Sequence, residues 1–201
     1  MKQKFDTRTI VITGLLLALE VIFQTLGNHI QFPLLPANIN LTLVTVVLAA
    51  VWCGPISAMI LGFFNGIMAL FSPSTLAIFM PISPVGTVVV CLLKCTIAGL
   101  VASLIYRGFN KINRIVGMTA GVILASATVP IVNTGLFSVG SLIFFRPFLE
   151  SGVNETFPNI GAFLVFGVIG LNFIVEIVTT VLIAPPSAAI VLGRRVKNPE
   201  A

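Results

Sequence analysis

The sequence predicts an all-α polytopic membrane protein: a bundle of six transmembrane helices forming one integral membrane domain over residues 1–201. Three observations predict it. First, 57% of the residues are hydrophobic and only 8% are charged, with a mean hydropathy of +1.12. A soluble domain charges roughly a quarter of its residues to cover its surface. Second, the apolar residues fall in runs of about 20 residues, the length that crosses a bilayer, and a chain of this size holds about six of them. Third, the basic residues stand in short clusters between those runs. With six spans, Lys2, Lys4, Arg8, Arg107, Lys111, Arg114, Arg194, Arg195 and Lys197 share one side, and only Arg146 lies on the other. The positive-inside rule then places both termini in the cytoplasm of a plasma-membrane protein. The net charge of +5 is therefore a topology signal and not a phosphate-tracking patch, so nucleic acid is excluded as a partner.

The first span is Thr9–Leu26, too long and too polar at Glu20 for a signal peptide, with no obvious small-residue cleavage site after it. Gly14 and Ala18 lie four apart on one face, a spacing that serves either ordinary bundle packing or close approach of another helix. Glu20 and Gln24 make the outer half of this helix polar. Gly27–Asn40, with His29, Gln31, Pro33 and Pro36, reads as a non-helical loop. It is long for a bundle connection and suits a lid. His29, the only histidine, is read there as a bystander or as a ligand contact.

The second span, Asn38–Cys53, is short and ends at Trp52-Cys53-Gly54-Pro55, where Trp suits the headgroup layer and Gly-Pro a tight turn. The third, Ile56–Phe71, carries Gly62, Asn65 and Gly66, and Asn65 serves either as a helix–helix hydrogen bond or as a pocket wall. Ser72–Ser83 has an apolar centre, Leu76–Met80, expected to lie against the bundle or the interface.

The fourth span, Pro84–Tyr106, is interrupted once, at its centre, by Lys94. An ammonium at mid-bilayer depth costs a few kcal/mol or more, and the middle of a span is too deep for easy snorkelling. Such a charge persists when it faces a wet cavity, an anionic ligand or an opposite charge, and Glu20 and Glu176 are the other ionisable residues inside apolar runs. Cys91 and Cys95 lie a turn apart, but with no further Cys or His nearby they read as packing residues, not as half of a metal site. Arg107–Arg114 is a basic connection.

The fifth span, Ile115–Phe145, is too long for a straight crossing and contains Pro130, followed by Asn133 and Thr134. Proline frees a backbone carbonyl, which membrane helices tolerate where the freed group lines a cavity, so this stretch points to a binding site. Arg146–Ile160 reads as a polar loop. The last span, Gly161–Leu192, places Asn172 and Glu176 on one face and holds Pro185-Pro186 near its end. The tail Gly193–Ala201 is polar and basic.

Several chemistries are missing. No Gly-rich loop with Lys-Ser/Thr is present, so the chain does not itself drive transport with ATP. There is no Gly-x-Ser-x-Gly elbow and no His-Glu-x-x-His, and one histidine does not build a catalytic constellation. The reading is of a non-enzyme without cofactor or metal. No internal repeat suggests an inverted-repeat transporter.

Over nearly its whole length the chain resembles the substrate-binding S components of energy-coupling factor (ECF) vitamin transporters. The resemblance rests on the basic N-terminus leading into the Gly14-x-x-x-Ala18 face, the Pro-bearing first outer loop, and Ala49-Ala50-Val51-Trp52-Cys53-Gly54-Pro55 before a Gly-rich third helix. It continues in Pro130-Ile131-Val132-Asn133-Thr134-Gly135 and in the terminal helix from Gly170-Leu171-Asn172 through Glu176 to Pro185-Pro186. It implies a six-helix protein that takes a water-soluble vitamin from outside and works with a transmembrane T component and two ATPase subunits. It also implies that Gly14 and Ala18 meet the T component, although the family usually has alanine at both positions, and that the loop Gly27–Pro36 gates the pocket.

The surroundings of Lys94 and Asn133-Thr134 look most like the pantothenate-specific branch, where a basic residue holds a similar place. Lysine offers a point charge in place of the arginine fork. The only Trp and Tyr lie at the cytoplasmic edge, which leaves phenylalanine as the aromatic for an outer pocket and favours a small flexible acid over riboflavin or folate. In this reading Lys94 faces the ligand's negative group, and Asn133, Thr134 and Asn172 bond its polar atoms. Asn65, Glu176 and His29 are further pocket candidates. Neutralisation of Lys94 by Glu20 or Glu176 stands as the alternative. Other vitamins or queuosine-like precursors, a stand-alone permease and a non-transporting scaffold remain as further readings.

Overall fold

In a computed structural model of the chain, residues 6–29, 41–111 and 116–197 are described, and every regular element among them is helical. The helix at the centre is the shortest of those that answer to the expected spans. This helix, α2 (Thr42–Trp52), is apolar on all sides, and each residue from Thr42 to Val51 is buried. A helix with no polar face belongs inside a bundle. At about 16 Å it is far shorter than the hydrocarbon layer. The other helices close around it: α1 (Thr7–His29), α3 (Pro55–Leu70), α4 (Pro84–Asn110), α5 (Val116–Phe144) and α8 (Gly170–Lys197), all in contact with α2. Four stretches, Thr7–Gly27, Pro84–Asn110, Met118–Phe144 and Ile160–Ile190, are long and apolar enough to cross a membrane. Their outward faces carry exposed apolar side chains such as Leu15, Val85, Leu142 and Leu182, as contact with lipid requires.

Gly54, the glycine with positive φ among the described residues (97°), turns the chain from α2 into α3, and Pro55 fills the first turn where no N–H is missed. On α3, Gly62 and Gly66 press against the backbone of Cys95 and Cys91 on α4, where any Cβ would overlap a carbonyl. This small-x-x-x-small contact brings the two helices together and sets Asn65, between the glycines, against α4. Ser83 caps α4, its hydroxyl accepting from Gly86 N at 3.2 Å.

Five expectations need correction. The connection after the first span does not begin at Gly27, because α1 continues to His29; residues 30–40, which hold the rest of the expected lid, lie outside the described ones, as does the side chain of His29. The basic connection does not begin at Arg107, because α4 continues to Asn110; Ser72–Ser83, to which the sequence assigned no regular element, contains a π-helical turn, Thr75–Phe79. Arg146–Ile160 is not loop throughout: α6 (Arg146–Ser151) opens it, tied by Arg146 Nε to Glu150 Oε1 at 2.9 Å. The last span starts as α7 (Ile160–Ala162), capped by Asn159, passes through a π-helical stretch Phe163–Ile169, and becomes α8, which runs past Leu192 to Lys197. In α5 the proline at 130 sits within one continuous helix.

Candidate ligand-binding site

At the end of the bundle where α1 and α3 finish, the helices enclose a cavity of about 190 Å³. Its wall includes Asn65 on α3, Lys94 on α4, Asn133 and Thr134 on α5, and Asn172 and Glu176 on α8. The tertiary structure thus brings together six residues that the sequence spreads over more than 100 positions. Lys94 lies about 15 Å along α4 from Pro84, so the cavity reaches well into the bundle.

The Lys94 ammonium stands over the Phe137 ring, 5.2 Å from its centre, a cation–π distance. Among the described residues the ion pair present is Arg146–Glu150, and no carboxylate approaches Lys94 within salt-bridge distance. Glu176 lines the same cavity as Lys94.

Below the cavity lies a polar seam joining four helices. Asn65 Nδ2 donates to Thr42 Oγ1 on α2. The Cys95 thiol lies 3.2 Å from Asn65 Oδ1 and 3.1 Å from Asn133 Oδ1, close enough to donate to either. Glu20, fully buried on α1, faces Asn65, and neither carboxylate oxygen makes a well-formed hydrogen bond among the described residues. Asn172 Oδ1 is likewise buried without a hydrogen-bond donor among the described residues, and it belongs to a cavity-lining side chain. A buried acceptor of this kind costs about 1–3 kcal/mol, which a ligand N–H or O–H recovers.

Sequence reasoning missed part of the wall: Phe137, Ser72, Ser74, Thr75, Phe79, Val168, Ile169 and Phe173 also line the cavity. Periodicity finds some of these. Phe137 is one turn beyond Asn133, and Ile169 and Phe173 share the stripe of Asn172 and Glu176. The Ser72–Phe79 contribution carries no such signal, because a π-helical turn after a short loop has no period to extend.

Gly14 and Ala18 are not brought to the cavity. Both are exposed on the outer face of α1, and a Cβ on Gly14 would meet nothing within 4 Å. Glu20 lies on the opposite side of the same helix, facing inward.

A family model described as ECF transporter, substrate-specific component matches residues 8–188. Comparison with curated proteins found no match, and neither did comparison with solved structures.

Proposed function

On the premise that the chain belongs to the family of ECF transporter substrate-specific components, we propose that it captures pantothenate, a small anionic and hydroxyl-bearing vitamin, in the cavity around Lys94. The single observation that carries this reading is the Lys94 ammonium, set deep in a cavity wall over the Phe137 ring. A charge at this depth is stabilised by an anionic ligand. The buried Asn172 Oδ1 calls for a donor, which a hydroxyl or amide N–H supplies. The volume, about 190 Å³, is below the roughly 300–1,000 Å³ usual for drug-sized ligands.

In this reading Lys94 holds the carboxylate, Asn133, Thr134, Asn172 and Glu176 bind the remaining polar atoms, and Asn65 supports the floor. The connection that follows α1, with His29 at its start, closes over the mouth. The cavity faces outside and both termini are cytoplasmic. Gly14 and Ala18 meet the T component, whose complex with two ATPase subunits supplies the energy. The chain itself carries out no catalysis.

Calorimetric titration of the purified protein with pantothenate, beside a panel of other vitamins, tests the assignment. Tight pantothenate binding is expected, weakened in folded Lys94→Met. The alcohol analogue, in which CH2OH replaces the carboxylate, is expected to bind weakly to both proteins. Equal affinity for acid and alcohol would remove the role of Lys94. Tight binding of another vitamin alone would discard pantothenate and leave the family membership intact.

A further inference from the structure

A second recess lies at the opposite end of the bundle, with a volume of about 590 Å³. Its walls come from the end of α2 and the last turns of α4: Trp52 and Tyr106 on the aromatic side, and Arg107, Asn110 and Lys111 on the polar side. We propose that this recess holds the phosphate of an anionic lipid headgroup.

The charge is one-signed. Arg107, in the last turn of α4, and Lys111, its C-cap, are four residues apart, and none of the described residues lining the recess is acidic. The ion pair among the described residues, Arg146–Glu150, lies on α6 and engages neither of these cations. Arginine supplies a planar fork of donors and lysine a mobile point charge, the pair of donor types that suits a phosphate.

The surroundings fit a lipid. Trp52 and Tyr106 are the only tryptophan and tyrosine of the chain, and amphipathic rings of this kind concentrate at the headgroup layer. Leu104, which also lines the recess, is 55% exposed on the apolar flank of α4 and leads from the recess toward the acyl region. Gly108 also lines the recess, and a Cβ there would meet nothing within 4 Å. A simpler role for Arg107 and Lys111 is to complement the negative end of the α4 dipole. That role requires charge in the last turn alone, and accounts for neither the volume nor the aromatic wall contributed partly by another helix. Basic recesses among membrane helices bind anionic headgroups by this chemistry.

Free phosphate shares the anion chemistry but not the acyl chain that would lie along Leu104, so the test separates them. The protein is reconstituted in nanodiscs containing equal amounts of phosphatidylglycerol and phosphatidylcholine, and the lipids that stay bound on release are counted by native mass spectrometry. Wild type is expected to retain phosphatidylglycerol with about tenfold preference, the order of effect two interfacial cations supply. Arg107→Gln/Lys111→Gln is expected to lose that preference, and Arg107→Lys/Lys111→Arg to keep it. If the double Gln variant fails to fold, Lys111→Gln alone, at an exposed position, is expected to show a reduced preference. Retention unchanged in the Gln variants overturns the proposal. Inorganic phosphate added to protein in phosphatidylcholine nanodiscs is expected to leave thermal stability unchanged. Stabilisation by phosphate equal to that by phosphatidylglycerol overturns the lipid assignment in favour of a free-anion site.

Discussion

The thiol of Cys95 sits 3.2 Å from Asn65 Oδ1, joining α4 to α3 beneath the cavity. The same sulfur is 3.1 Å from Asn133 on α5, so one small side chain supports two cavity-lining amides. Cysteine suits the position because its neighbours leave little room: Gly62 lies against the Cys95 backbone, and the residue is fully packed.

Replacing this thiol separates polarity from volume. Cys95→Ser keeps a donor and is expected to retain folding, with ligand affinity within a few-fold of wild type. Cys95→Val removes the one S–H proton that serves either of two buried amide oxygens, a loss of about 1–3 kcal/mol. It is expected to lower the melting temperature of the solubilised protein and weaken ligand binding by about tenfold. Identical behaviour of the two variants would show that only volume matters at this position.

Gly62 tests the close contact of α3 with α4. A methyl group there overlaps the Cys95 carbonyl, which is backbone and cannot swing aside. Gly62→Ala is expected to destabilise the protein by about 1–3 kcal/mol, the range for overpacking. Gly14→Ala, where the same methyl meets open space, is expected to leave the melting temperature of the isolated protein unchanged. A harmless Gly62→Ala would mean that the two helices separate more easily than this packing implies.

The outer face of α1 is separable from the cavity. Bulky side chains at Gly14 and Ala18 are expected to leave pantothenate affinity unchanged within about twofold, because both positions are exposed and neither lines the cavity. The same variants, Gly14→Leu and Ala18→Leu, are expected to abolish co-purification with the T component, since a small-x-x-x-small face works by close helix approach. Normal assembly of both variants would move the partner interface elsewhere.

Asn172 sets stability against binding. Its Oδ1 is buried without a donor, so Asn172→Leu is expected to leave the ligand-free protein at least as heat-stable as wild type, and to lower ligand affinity by about tenfold or more. A thermal-shift series with and without pantothenate reads both effects together. Loss of stability in the ligand-free protein would show that Asn172 is structural.

Phe137 contributes through Lys94. Phe137→Leu keeps the apolar surface but removes the ring face beneath the ammonium, an interaction worth about 0.5–2 kcal/mol. Calorimetry is expected to show about three- to thirtyfold weaker binding of the acid, with little change for the alcohol analogue. An equal loss for both ligands would mark Phe137 as a shape contact only.

Composition and the spacing of apolar runs were enough to establish a helical membrane protein, because a chain so poor in charge cannot cover a water-facing surface. Lys94, Asn133 and Asn172 stood out for the same reason: polar groups in apolar runs are costly, and the cost flags them without any structure. Gly62 and Gly66 were visible as small residues, but not that they face Cys95 and Cys91. Tertiary structure alone decided that α2 is a fully buried central helix, that Lys94 stands over Phe137, and that a π-helical turn completes the wall. It also brought Trp52 and Arg107 into one recess. The physical reason is that period and polarity are properties of a single helix, whereas a partner across an interface is fixed by how closely two backbones approach and at what register.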